Sequence, residues 1–399
     1  MRYSFKVSIS SILAVLIFIT QFVTLPYLSW YNILKYGTIV LLGIYVGRRI
    51  KIIFKRKYLL ANGPAFIFSF LTVFTAYLNR GRPGDRDPFL ASIPFVAAFL
   101  LFLLFMEIRA EEGMVKKTLN IFYKTAFVIA IITDALIFFA PSLFAMSSLY
   151  FIGTKFSVVY LHLLLIVLYL VKNPIGKSRS GYERLSLLLL IGWSFFIGII
   201  VNCSTGIVGV FILLLLILII RDREKIFLNG AFYSLIQLLC LGFVFFYEFI
   251  LRNSTIQHII VDFLGRDVTL TSRTFIYERV PIILTEKDGW LLGMGYGSSY
   301  DLGIRYGGFP DTQNGILEWI WQVGIPTTII MILMFAFILS VAKKYTDYKN
   351  RRLLLPLIAG VYLFTILGTI EITIEIMYFS LMVCTMSIAT GTCEERDSI

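Results

Sequence analysis

The sequence predicts an all-α integral membrane protein of about twelve transmembrane helices with one large extracytoplasmic loop. Three observations predict it. Of 399 residues, 58% are hydrophobic and only 15% charged, too little charge to cover the surface of a soluble domain. Apolar runs long enough to cross about 30 Å of hydrocarbon recur along the whole chain. The Lys and Arg residues between those runs concentrate in alternate connections.

The runs lie at 7–25, 30–47, 59–78, 88–106, 119–140, 150–171, 185–202, 205–220, 226–248, 314–340, 352–370 and 373–391. The first has a basic flank but no small-residue cleavage site behind it, and the second begins within a few residues, so it reads as a retained helix. Tyr27, Trp30, Tyr31, Tyr58, Tyr150 and Tyr247 sit near the ends of runs, as an interfacial aromatic belt requires. No internal repeat or low-complexity segment divides the chain, so residues 1–399 read as one polytopic membrane domain.

The connections test the count. One set is basic: segments 2–6, 48–57, 109–117, 172–184, 221–225 and 343–352, with Arg396 at the end. The short loops of the other set hold only Arg80, Arg82 and Arg86, mixed with Asp85 and Asp87. Adding or removing one span scrambles this segregation, so both termini are expected in the cytoplasm of a multi-pass protein. The net charge of +12 is then an orientation signal and not a nucleic-acid footprint. The four cysteines are scattered, with no CxxC pair and no His at ligand spacing, so no metal site and no disulfide framework is expected.

One connection breaks the economy of the rest. Residues 249–313 are too polar to cross the membrane and lie, by alternation, on the outer face between the ninth and tenth spans. Within them RTFIYERVPIIL, 273–284, has the spacing of a short amphipathic helix capped by Thr271 or Ser272 and broken near Pro281. The loop gathers Arg266, Arg273, Arg279, Lys287 and Arg305 with Asp262, Asp267, Glu278, Asp288, Asp301 and Asp311. Arginine's planar fork suits phosphate, and a diphosphate at a lipid headgroup is the anion this surface would meet; anionic lipid and internal salt bridges are the alternatives. Gly293, Gly295 and Gly297 stand in LLGMGYGSSY without the βαβ unit that a dinucleotide site needs. They let amides approach an anion, let the chain re-enter tightly beside the bundle, or simply turn it.

Ionisable residues inside the runs are few: Lys35, Lys124, Asp134, Lys155, Glu248, Glu371 and Glu375. Lys35 and Lys124 lie close enough to a helix end to snorkel, whereas Asp134, Glu248, Glu371 and Glu375 fall toward the outer leaflet, the side of the large loop. His162 and His258 have no partner that spacing makes recognisable and read as structural.

The segment LGRDVTLTSRTFIYERVPIILTEKDGWLLGMGYGSSY (264–300), followed by DTQNGILEWIWQVGIP (311–326), resembles the bacterial O-antigen polymerase and ligase superfamily, the Wzy-type polymerases. The likeness rests on Gly265, Arg266, Asp267, Thr269, Thr271 and Arg273, then Gly293, Gly295 and Gly297, then Asn314, Leu317 and Gly324, in order and spacing. STGIVGVFILLLLILII, 204–220, is similar to the family's helix with a Ser/Gly-rich outer end. Two departures stand out: the usual serine-arginine pair before that helix is missing, and Gln313 occupies the place of the ligases' histidine. A glutamine is no general base, so the resemblance favours polymerase over ligase.

What the resemblance implies is a GT-C-like bundle in the bacterial plasma membrane that polymerises polyprenyl-diphosphate-linked oligosaccharide repeats at the outer leaflet, beside a flippase and a chain-length regulator. Donor and acceptor are both lipid-linked glycans, and neither metal nor cofactor is expected. Arg273 and Arg266 are the first candidates for neutralising the departing diphosphate, with Arg279, Arg305, Arg80 and Arg82 in support and Gln313 and Asn314 at the substrate. Asp311, Glu278, Glu318, Glu371 and Glu375 are the candidate bases. A lipid-oligosaccharide flippase is the rival reading, but it calls for two similar halves, charges at the midplane and short loops.

Overall fold

A computed structural model describes residues 8–82, 84–144, 149–174, 180–258, 261–262, 273–346 and 348–391. The chain is helical at every apolar run. It opens with α1 (Ile9–Ile17), continued by a π-helical turn over Phe18–Phe22, and proceeds through α2 (Tyr31–Gly47), α3 (Arg56–Leu78), α4 (Pro88–Glu111) and α5 (Val115–Phe139). A two-residue antiparallel hairpin, β1 (Leu149–Tyr150) and β2 (Gly153–Thr154), pairs Leu149 with Thr154 and leads into α6 (Lys155–Lys172). Next come α7 (Gly181–Ile200), α8 (Ser204–Ile220), the one-turn α9 (Glu224–Phe227) and α10 (Gly230–Leu251). The long connection carries α11 (Ser254–His258), α12 (Arg273–Glu286), α13 (Gly289–Leu292) and α14 (Ser299–Gly307). The chain closes with α15 (Gly315–Tyr345), α16 (Tyr348–Leu367) and α17 (Ile376–Thr390).

Among the described residues, eight helices are long and apolar enough to cross a membrane: α3 to α7, α10, α15 and α16. The other four of the twelve expected runs make shorter helices. The first gives way to the π-turn and extended Val23, and the last begins helix only at Ile376, after a turn that holds Glu371 and Glu375. At about 1.5 Å per residue, the 17-residue α2 and α8 reach roughly 26 Å.

The described part of the long connection is mostly short helices, and α12 does not break at Pro281 as expected. It runs on to Glu286 because Ile276, Tyr277, Val280, Ile283 and Leu284 form one buried face whose packing outweighs the single backbone bond a proline removes. The expected cap at Thr271 or Ser272 lies outside the described residues.

Only 17% of the apolar window of α7 is buried against 78% in α6 and 83% in α16, so α6 and α16 are the centre and α7 the rim. Phe70, Leu188, Leu218 and Phe246 are exposed, an apolar outer face that water does not tolerate and hydrocarbon does. One inward-facing polar cluster pairs within itself. The Tyr233 and Tyr378 hydroxyls lie 2.7 Å apart, Gln237 Nε2 donates to Tyr233 at 2.6 Å, and Thr365 meets Tyr378 at 2.8 Å.

The two ends of the bundle differ. At the basic end Lys55 and Lys57 pair with Glu111, Arg109 with Glu112, and Arg351 with Glu224. The opposite end collects the described residues of the connections 79–87, 141–154, 201–203 and 368–375 and of the long connection, joined by bonds such as Asn79 Nδ2 to Leu292 O at 3.0 Å and Arg82 to Lys287 O at 3.2 Å.

Candidate active site

α12 opens on Arg273, and the fold sets that side chain against the turn between α16 and α17. Its Nε donates to Ile370 O at 2.9 Å and its Nη2 to Glu371 Oε1 at 2.5 Å. Thr205, from the first turn of α8, donates to the same carboxylate oxygen at 3.3 Å. Three segments far apart in sequence therefore converge on Glu371, which is buried. Burial pushes the Glu371 carboxyl up to about 7, outweighing the opposite pull of Arg273.

The start of α15 is pinned beside this pair. Asn314 caps the helix, accepting from the amides of Ile316 and Leu317, and donates to Cys240 O at 3.1 Å and Thr369 O at 3.0 Å. Gln313, in the left-handed region at φ 51°, donates through Nε2 to Asp311 at 2.5 Å, and its carbonyl accepts from the Tyr277 hydroxyl at 2.9 Å. Glu318, one turn into α15, is buried and accepts from Ser299, from Thr312 Oγ1 at 2.9 Å and from Gln322 Nε2 at 2.8 Å.

The glycine run wraps a break in α15. Gly324 has φ 80° and ψ 168°, non-helical values that leave carbonyls of the preceding turn without helical partners. The amides of Met294 and Gly295 donate to Trp321 O at 2.6 Å and Gln322 O at 3.1 Å, and the Gly297 amide donates to Gln322 Oε1 at 3.1 Å. At Gly293, φ 71°, a Cβ would sit 2.5 Å from the Gln322 carbonyl. These amides are spent on tight re-entry of the chain beside α15.

A cavity of about 760 Å³ opens next to this assembly, between α2, α4, the head of α15 and the turn before α17. Lys35, Arg86 and Glu375 line it, and the same three side chains line an adjoining lobe of about 400 Å³ that extends to Tyr160. Phe95, Tyr296 and Trp319 make an aromatic wall, with Phe95 and Tyr296 stacked at 5.0 Å. Glu375 keeps accessible surface where it lines this cavity, and burial within the bundle, with the Glu318 and Asp311 carboxylates nearby, pushes its carboxyl up to about 7.

The remaining expected arginines are dispersed. Arg80 pairs with Asp87 at 2.9 Å over the Phe89 ring, and Arg82 donates to Met294 Sδ at 2.9 Å. Arg279 is exposed beside Phe275, and Arg305 is exposed on α14. Glu278 is exposed and accepts from Tyr247 at 3.1 Å. Arg266 lies outside the described residues. Sequence reasoning missed Lys35 and Arg86 as cavity residues: a lysine five residues past Trp30 looks like a snorkelling cation, and Arg86 is one of three arginines in a short loop.

His162, expected to be structural, has Nε2 3.2 Å from buried Asp134, whose other oxygen accepts from Trp193 at 2.7 Å. Among the described residues no group of three or more His, Cys, Asp or Glu side chains is arranged to hold a metal ion. No protein-family model matches the chain, and comparison with characterised proteins finds no match.

Proposed function

We propose that this protein polymerises polyprenyl-diphosphate-linked oligosaccharide repeat units at the outer leaflet of the bacterial plasma membrane. The observation that carries the reading is the meeting of Arg273 from the long connection, Thr205 from the Ser/Gly-rich head of α8 and Glu371 at one end of an apolar bundle, beside a large cavity. Arg273 and Thr205 lie in segments through which the sequence resembles the Wzy-type polymerases. In this reading the twelve apolar runs all span or enter the bilayer, both termini are cytoplasmic, and the long connection faces outward.

The donor is a glycan on a polyprenyl diphosphate, and the acceptor is the terminal sugar hydroxyl of another lipid-linked repeat. A diphosphate is already a good leaving group, so the protein's task is to align two lipid substrates and neutralise the departing charge. Arginines suffice, with Arg273 held in orientation by bonds that include those to Ile370 O and Glu371, and Arg266 seven residues before it in the chain. A flippase that delivers the repeats and a chain-length regulator complete the expected partners.

Gel analysis of lipid-linked glycans from cells lacking the protein tests this. Accumulated single repeat units, with a ladder restored by the wild-type gene, are expected. A full-length ladder left on the carrier lipid would mean a ligase instead, and single units trapped on the cytoplasmic side a flippase.

A further inference from the structure

We propose that the reaction centre of this polymerase is the cavity itself, with Lys35 and Arg86 binding the donor diphosphate and Glu375 taking the acceptor hydroxyl proton. The inference rests on the polymerase reading and assigns residues that neither the sequence motifs nor the resemblance singled out together.

Elimination among the carboxylates leads to Glu375. Glu278 is exposed and bonded to Tyr247, Asp311 is occupied by Gln313, Glu318 is held by Ser299, Thr312 and Gln322, and Glu371 by Arg273 and Thr205. Glu375 lines both lobes; its carbonyl accepts from the Phe379 amide at 3.1 Å, while its carboxylate makes no hydrogen bond or ion pair among the described residues. It caps α17 in an extended conformation with no side-chain capping bond, so its carboxyl is free to meet a ligand. A base needs that availability more than it needs proximity in sequence.

The cations follow the same logic. Lys35, from α2, and Arg86, from the turn before α4, line both lobes, and neither has an acidic partner among the described residues. Two cations without an acidic partner beside a cavity of this size, in a bundle with apolar outer faces, fit an anionic headgroup whose tail stays in lipid. Phe95, Tyr296 and Trp319 offer flat apolar surface to a sugar ring.

In the step, the acceptor oxygen bonds to the donor's anomeric carbon as its proton passes to the Glu375 carboxylate. The bond from that carbon to the diphosphate oxygen breaks, and its electron pair leaves on the diphosphate, beside Lys35 and Arg86. Arg273, to which the resemblance gives the departing charge, does not line the cavity, and in this assignment its pair with Glu371 is a positioning element four residues before Glu375 that fixes the turn carrying the base. The titratable and charged groups facing Glu375 include Lys35 on α2, Arg86 and Asp87 before α4, Tyr160 on α6, Tyr296 in the glycine run, Glu318 on α15 and Asp311.

Purified protein in nanodiscs of zwitterionic lipid decides the matter through two readouts, binding of polyprenyl diphosphate and polymer formation from lipid-linked repeats. Glu375→Gln is expected to bind polyprenyl diphosphate at least as tightly as wild type while its polymerisation rate falls about 10²- to 10⁴-fold. The wild-type rate should rise with pH through about 7, and the residual rate of Glu375→Gln should lose that rise. Lys35→Ala with Arg86→Ala should weaken polyprenyl diphosphate binding on the order of tenfold to a hundredfold. Competition by inorganic diphosphate separates headgroup from tail.

Wild-type polymerisation by Glu375→Gln, or unchanged binding by the double variant, would overturn the proposal while leaving the polymerase reading intact. A wild-type protein that makes no polymer, yet binds the lipid diphosphate through Lys35 and Arg86, would remove the polymerase reading and the base, and keep the phosphate site.

Discussion

Arg273 and Glu371, 98 residues apart in the chain, are joined by a guanidinium-to-carboxylate bond of 2.5 Å. The bond ties the first residue of α12 to the turn between α16 and α17, and the second bond, from Nε to Ile370 O, fixes the guanidinium plane. Removing one partner of a buried pair leaves the other charge uncompensated, which costs more than the pair's net worth.

A lysine keeps the charge of Arg273 but presents one compact donor where the arginine fork reaches two acceptors. On the proposed polymerase reading, Arg273→Ala is expected to slow polymer formation about a hundredfold, on the order of 3 kcal/mol, and Arg273→Lys to recover little of it. Initial rates in isolated membranes check this; a lysine variant with wild-type rate would show that charge alone matters there.

Gly293 and Gly324 pack backbone against backbone, both at positive φ, so any Cβ meets a carbonyl that cannot swing away. Gly293→Ala and Gly324→Ala should abolish most folded protein, read as the monodisperse peak in detergent. Gly297→Ala, whose nearest neighbour is the Ala91 Cβ at 3.5 Å, should cost only its φ strain, about 1–2 kcal/mol. Equal losses in all three would contradict this packing.

Asn314 does two jobs that substitutions can separate. Asn314→Asp keeps the acceptor that caps α15 but loses the donors to Cys240 O and Thr369 O, whereas Asn314→Ala loses both functions. The expected order of thermal midpoints is wild type, then aspartate, then alanine, with alanine down by about 2–3 kcal/mol.

Glu371 and Glu375 carry carboxyls raised from 4.5 to about 7, so the fold favours their neutral forms. The stability these two groups contribute is therefore greatest below about 4.5, falls as pH rises toward 7, and stays low above it. The wild-type thermal midpoint should drop between pH 5 and pH 8, and Glu375→Gln should flatten that drop. An identical slope in the variant would mean Glu375 ionises freely.

Orientation is testable at Arg305, exposed on α14. Cys203, Cys240 and Cys384 are buried, so Arg305→Cys in a Cys393→Ser background supplies one reactive thiol for a membrane-impermeant maleimide. Labelling of intact spheroplasts is expected; labelling only after lysis would invert the topology.

Hydrophobic periodicity and basic connections were enough to locate the apolar helices, because burial in lipid demands apolar residues over a continuous stretch and every backbone bond inside it. Local signals likewise marked α12, which depends on its own residues, whereas for the glycine run they left tight re-entry as one of several readings, because its partners are α15 carbonyls distant in the chain. Composition could not tell that α1 and α17 stop short, because that is decided where a π-turn or a buried carboxylate turn meets its neighbours. Nor could it choose among five carboxylates or see Lys35 and Arg86 as a pair. Which charge is answered by a partner and which is left facing a cavity depends on side chains brought together from α2, α8, α12, α15 and the turn before α17. Only the tertiary structure sets those distances, and electrostatic interaction falls with distance in space, whatever the separation in sequence.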